Sequence, residues 1–201
     1  MGATRPVHGR TLGPRRLFAL AALCAFLSGC AGRGAIVGRV APPTRDVVVM
    51  AWPEDGKEPI PPGTPARVVQ TRGRFEPHVL VVQQGTVVEF ENRDRIFHNA
   101  FSITPATRFD LGRYRPGQVR RSKFEHVGVV RVFCELHSKE SLYVVVVPDR
   151  WHTRPASDGA FLLPDMPRGS YLLRAWHPRL GDVTQRVDVP AREPAVLRFK
   201  R

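Results

Sequence analysis

Only three cysteines occur in the 201 residues. A framework of disulfides, which needs pairs of cysteines at regular spacings, is therefore excluded. Lysine is scarce, and nearly all of the formal net charge of +13 rests on arginine. The N-terminal apolar run "LFALAALCAFL" falls well short of the roughly 20 residues that a membrane-spanning helix needs. Hardly any stretch spaces its apolar residues at helical intervals, and there is no tandem repeat. Helical bundles and solenoids are thereby set aside. No RNA- or DNA-binding motif accompanies the basic charge.

What the N-terminus does contain is a leader. Arg5, Arg10, Arg15 and Arg16 precede the apolar run, with no acidic residue among residues 1–29. "LSGC" (Leu27 to Cys30) closes it and resembles the bacterial lipobox, in which the cysteine takes the lipid and becomes the mature N-terminus. An ordinary signal peptide cut nearby is the alternative. "RRLF" bears a faint likeness to a twin-arginine signal, so Sec and twin-arginine export both stay open. The lipobox resemblance implies a protein on the periplasmic side of the bacterial envelope, anchored to the membrane through Cys30. Ala31 after the cysteine points to the outer membrane. Residues 30–33 are then a tether.

Export gives the cysteine count its meaning. Cys24 leaves with the leader and Cys30 carries lipid, so Cys134 is alone in an oxidising compartment. A lone thiol there is either buried and inert or bound to a metal. Loss of the four leader arginines leaves a mature charge near +9. That excess is either compositional bias or a means of docking to anionic head groups or to an acidic partner protein.

The body of the chain reads as strands. "AIVGRV", "DVVVMAW", "HVLVV", "TVVEFEN", "GVVRVF", "LYVVVV", "AFLLP", "SYLLRAW", "VTQRVDV" and "AVLRF" are short runs punctuated by Gly and Pro, the pattern of all-β sandwiches. "PEDGKEPIPPGTP" (Pro53 to Pro65) reads as a loop or linker, and a second break falls at "PDRWHTRPASDG" (Pro148 to Gly159).

Two strands in the middle end on metal-binding residue types. "TVVEFEN" ends at Asn92, and the loop beyond it is expected to deliver His98. "GVVRVF" ends at Phe133 and is followed by Cys134 and His137. Two imidazoles and one thiolate in a trigonal set, with a weak axial donor, are the ligands of copper electron-transfer sites.

At these residues the sequence resembles a known family. "F-x-P-H-V-L-V-V", "G-T-x-V-x-F-x-N-x-D…H" and "G-V-V-x-V-x-C-x-L-H" are similar to the cupredoxins, and in particular to small bacterial plastocyanin-like proteins often labelled methylamine utilisation proteins. The likeness covers roughly residues 34 to 190. It implies a Greek-key sandwich over 67–149 holding one copper ion on His98, Cys134 and His137. Asn99 would tie the His segment to the Cys turn. Those relatives carry an axial methionine three residues after the second His, where this chain has Glu140. Longer turns place it where Leu142 stands, and Met50 and Met166 lie elsewhere. Two arrangements stay open: Glu140 as the axial ligand, or Glu140 in solvent with the site capped by Leu142 or a backbone carbonyl.

"DGAFLLPDMPRGSYLLRAWHP" resembles the transthyretin-like regulatory module found after carboxypeptidases. It lacks that module's first strands, which occur upstream as "GAIVGRV" and "DVVVMAW". Residues 34–66 and 150–201 would then form one β-sandwich interrupted by the cupredoxin. The alternative is two domains in series. His78, His126, His152 and His177 are expected to be structural or exposed rather than ligands.

The function expected is single-electron transfer by a mononuclear copper protein, with an unidentified redox partner. A non-redox copper binder (storage, delivery or sensing) and a metal-free binding module are the alternatives. With no Ser-His-Asp set and no second copper cluster, hydrolase or oxidase chemistry is not expected.

Overall fold

The computed structural model describes residues 32–56, 64–148 and 150–200. The leader, Cys30 and the middle of the Pro/Gly-rich segment lie outside the described residues. Every regular element among the described residues is a strand.

In chain order these are β1 (Arg33–Ala41), β2 (Val48–Pro53), β3 (Ala66–Thr71), β4 (Arg74–Glu76), β5 (Val79–Gln83), β6 (Thr86–Asn92), β7 (His98–Ser102) and β8 (Phe109–Tyr114). Then come β9 (Val119–Phe124), β10 (Gly128–Phe133), β11 (Ser141–Val147), β12 (His152–Thr153), β13 (Ala160–Pro167), β14 (Gly169–His177), β15 (Gly181–Val189) and β16 (Ala195–Arg198). Sheets β4-β3-β6-β9 and β5-β11-β10-β7-β8 enclose one core, in which Val68, Val88 and Phe90 meet Val130, Val132 and Leu142. Sheets β13-β1-β16 and β12-β2-β14-β15 enclose another, built on Ile36, Val49, Trp151, Leu163, Leu173 and Leu197. The N-terminal strands β1 and β2 thus pair with strands from the C-terminal part, and β3 to β11 form a sandwich of their own.

Side-chain alternation explains which runs look apolar throughout. In β6, Val88 and Phe90 point into the core, and Glu89 and Glu91 point out. Glu89 there bonds Arg67 on one neighbouring strand and Arg121 on the other, both at 2.8 Å. β11 has no polar face because both of its faces are covered. Leu142, Val144 and Val146 enter the central core, while Val145 and Val147 pack with Val48 and Met50 of β2, Val79 of β5 and Trp176 of β14. That second cluster joins the two sandwiches. Gly38 in β1 meets a different demand: a Cβ there would lie 2.4 Å from the Ala195 carbonyl oxygen and 2.5 Å from the Phe161 ring.

Two expectations from the sequence are corrected. His98 does not sit in a loop; it opens β7, faces Tyr114 of β8 and is fully buried. The segment from Pro148 to Gly159 is more than a break. It contains β12, which pairs with β2, and Trp151, which is buried in the outer core.

Candidate metal centre

The site lies at one end of the central sandwich, where β7 begins and the β10–β11 turn folds over. β10 and β11 stay in register as far as the pair Phe133–Ser141. Between them the six residues from Cys134 to Lys139, with Glu140, make a closed turn. The Glu140 N–H donates to the His137 carbonyl at 3.0 Å, and the Cys134 N–H donates to the Glu140 carbonyl at 3.3 Å. The turn is fastened to β7 by Asn99, whose Oδ1 accepts the Glu135 N–H at 2.7 Å. These bonds bring Cys134, His137 and Glu140 to one side of the turn, against His98.

His98, Cys134, His137 and Glu140 each offer one donor atom, and these atoms all lie within 4.8 Å of one another. Cys134 Sγ is 3.8 Å from His98 Nδ1 and 3.5 Å from His137 Nδ1. The Glu140 carboxylate is 3.0 Å from His98 Nδ1 through Oε2 and 3.1 Å from His137 Nδ1 through Oε1. Such separations are the edges of a polyhedron around a single ion with bonds of about 2.0–2.3 Å. His98, Cys134 and Glu140 are buried, whereas the His137 side chain keeps 33% of its surface in solvent.

Glu140 does not point to solvent, although its turn is polar. Its side chain is 0% exposed. Gln70 Nε2 donates to Oε2 at 3.0 Å, while Oε1 is buried with no hydrogen-bond partner. A buried carboxylate oxygen with no donor is costly unless something positive meets it. The Cys134 thiol has a related need. Burial pushes its pKa up and the neighbouring Glu140 charge adds to that, against backbone N–H groups of Asn99, Leu136 and His137 that lower it. A cation would relieve both groups, and a metal-bound cysteine is a thiolate. The donor set therefore fits a metal ion. Nitrogen, sulfur and carboxylate donors together suit Cu(II), and the thiolate and imidazoles alone suit Cu(I).

One residue that stands in the N-x-D…H motif but was given no role from sequence, Asp94, completes the surroundings of His98. Asp94 Oδ2 accepts from His98 Nε2 at 3.0 Å, which leaves Nδ1 to face the cluster. Asp94 is itself held by the N–H groups of Arg72 (2.6 Å) and Gly73 (3.0 Å). Burial alone would raise its pKa, but those two backbone bonds and His98 bring it below the usual carboxylate value. Arg72 and Gly73 form the two-residue β3–β4 turn, both at positive φ (54° and 67°). The available signal was Asp94 four residues ahead of His98. Gln70 and Tyr114 were missed as well. Gln70 occupies an inward position of β3, in phase with Val68, where an apolar residue belongs.

The other described histidines are not part of the cluster. His78 bonds Asp46 at 3.2 Å and meets the Tyr143 ring edge-on. His126 is exposed. His177 is buried, and its Nδ1 accepts the N–H groups of Arg179 and Leu180 at 3.1 Å each. Met50 and Met166 are buried in the joint and in the outer core.

No protein-family model matches the chain, and no curated protein does. Among solved structures, the novel purple cupredoxin from Nitrosopumilus maritimus is 24% identical over 41% of this chain and 99% of that one, with a TM-score of 0.37. An oxidized mutant of amicyanin is 21% identical over 41% of this chain and 81% of its own, at a TM-score of 0.39. The copper-containing nitrite reductase from Thermus scotoductus SA-01 is 23% identical over 48% of this chain and 27% of its own, at 0.39.

Proposed function

We propose that the chain is an exported, lipid-anchored protein that holds one copper ion on His98, Cys134, His137 and Glu140 and carries single electrons at the cell envelope. The observation that carries this reading is the buried donor cluster with its unpartnered Glu140 oxygen. Bound copper supplies a Cu(I)/Cu(II) couple there. The protein's part is to hold the donors still. His98 sits on a strand, Cys134 and Glu140 flank a hydrogen-bonded turn, and Asn99 locks that turn to β7, so little need move when charge changes. His137 is the only one of the four that reaches solvent to a sizeable extent, and its ring edge is the exit for an electron. The basic surface suits an acidic redox partner. The protein is a carrier, not an enzyme, in this reading.

A non-redox copper protein is the second reading, and the buried carboxylate favours it. A charged oxygen donor holds Cu(II) firmly and resists reduction to Cu(I).

Copper titration decides between them. The wild type is expected to bind one copper per chain, with an intense thiolate-to-copper absorption and a reversible midpoint potential. Cys134→Ser should abolish that absorption while circular dichroism stays unchanged. A wild type that takes up no copper would overturn both readings, and copper that cannot be cycled would leave only the second. The anchor is tested separately: Cys30→Ala should move the protein out of the membrane fraction, and unchanged fractionation and mass would refute lipidation.

A further inference from the structure

Glu140 is not buried by accident of the turn; Gln70 reaches it from the opposite sheet and is itself held by Tyr114, which lies in the same sheet as β11. Gln70 of β3 and Tyr114 at the end of β8 are both 0% exposed. The Tyr114 hydroxyl donates to Gln70 Oε1. A backbone carbonyl can only accept, so the Asn99 carbonyl fixes which way the Gln70 amide faces. The two Nε2 protons must then point away from Tyr114, and they have two acceptors: Glu140 Oε2 at 3.0 Å and the Asn99 carbonyl at 3.3 Å. Every polar atom of Gln70 is thereby satisfied. A phenol keeps its proton at neutral pH, so the Tyr114 hydroxyl is a donor.

The direction of this chain has a consequence. Both links donate towards the carboxylate, so Oε2 is fastened while Oε1 receives no hydrogen bond. Oε1 is the one next to His137, 3.1 Å from its Nδ1. An amide stretched across a core of Val68, Phe90 and Val132 is poorly explained by packing alone, because an apolar residue would fill that inward position of β3 without needing partners.

We infer that Tyr114 and Gln70 are positioning residues that aim the Glu140 carboxylate at the metal and so make the centre select a divalent ion over a monovalent one. This rests on the cluster being the metal centre proposed above. Cys134 and the two imidazoles hold either oxidation state of copper. Only the carboxylate discriminates, since a hard, charged oxygen donor favours Cu(II). Loosening it should cost Cu(II) affinity and leave Cu(I) affinity nearly untouched.

The test uses the full-length mature chain, titrated with Cu(I) and with Cu(II) against competing chelators. Gln70→Leu should lower Cu(II) affinity by about tenfold or more, within the range known for residues that orient metal ligands. Cu(I) affinity should change by less than about threefold, because the soft donors are untouched. Tyr114→Phe removes a single oxygen from the core, keeps the ring packing and should act in the same direction. It serves if Gln70→Leu fails to fold. A merely structural role would weaken both ions alike, and that result in the folded variants, or no change in either ion, would overturn the inference. The effect must also run through Glu140: in a Glu140→Gln background, Gln70→Leu should no longer alter the ratio of the two affinities. A ratio that still falls there would assign the effect elsewhere. If the wild type binds no copper, the centre itself is wrong and the relay falls with it. If the wild type binds copper and the variants keep its ratio, the relay alone is wrong.

Discussion

At the scale of single residues, the centre depends on which face each ring nitrogen presents. His98 has its Nε2 bound to Asp94 and its Nδ1 beside Cys134 and Glu140. A neutral imidazole has one protonated nitrogen, so the Asp94 carboxylate places the proton on Nε2 and leaves the Nδ1 lone pair for a metal. Among the described residues no such carboxylate stands behind His137; its ring is partly in solvent and only 4.7 Å from the His98 ring. The two imidazoles are therefore unequal, one fixed and one freer. Asp94→Asn should expose this. It leaves one side-chain oxygen to serve the N–H groups of Arg72, Gly73 and the imidazole, and copper affinity should fall by about 10–100-fold, the usual effect of removing a hydrogen bond behind a ligand. A competition titration measures it. Full affinity in the variant would mean that the ring orientation is set by packing alone.

At the scale of elements, the legible parts of the sequence were those that announce themselves locally. The Val-rich runs became β1, β2, β5, β6, β10, β11 and β13 to β16, because each is bounded by turn residues and its burial follows from its own pattern. Cys134 and His137 could be read because both stand in one short turn. His98 could be placed beyond Asn92, yet its strand could not, since β7 is held by pairing with β8 at His98–Tyr114 and with β10 at a single residue, Phe133–Phe101. Nothing in "HNAFS" alternates. β3 and β4 were missed because "ARVVQTRGRFE" has a polar residue at an inward position and turns at Arg-Gly, not at the Asn-Gly that marks a tight hairpin. Glu140 illustrates the same limit at the site. A polar turn predicts exposure, and only the arrival of Gln70 from the facing sheet makes its burial tolerable. What local pattern cannot encode is a partner from seventy residues away.

At the scale of the whole molecule, the question is whether the two sandwiches behave as one body. Their joint is apolar: Val48, Met50 and Trp176 on one side meet Val79, Val145 and Val147 on the other. Trp176 is its largest member, 8% exposed, with its ring 5.4 Å from that of Tyr143. Polar contacts reinforce the rim, where His78 bonds Asp46 and Arg154 donates to the Val79 carbonyl. β11 gives one face to the central core and the other to the joint, so the outer sandwich cannot leave without exposing one face of the strand that follows Glu140. Unfolding should therefore be a single transition, with the outer core and the metal centre lost together. In the copper-loaded protein, tryptophan fluorescence and thiolate-to-copper absorption are expected to change at the same urea concentration. Trp176→Ala should remove about 3 kcal/mol or more of stability, the usual cost of deleting a buried aromatic side chain. It should also split the transition, with the fluorescence change coming first and the absorption persisting to higher urea. Coincident curves in the wild type that stay coincident and unshifted in the variant would show that this joint does not couple the two sandwiches. Separate curves already present in the wild type would show that the metal centre folds without the outer one.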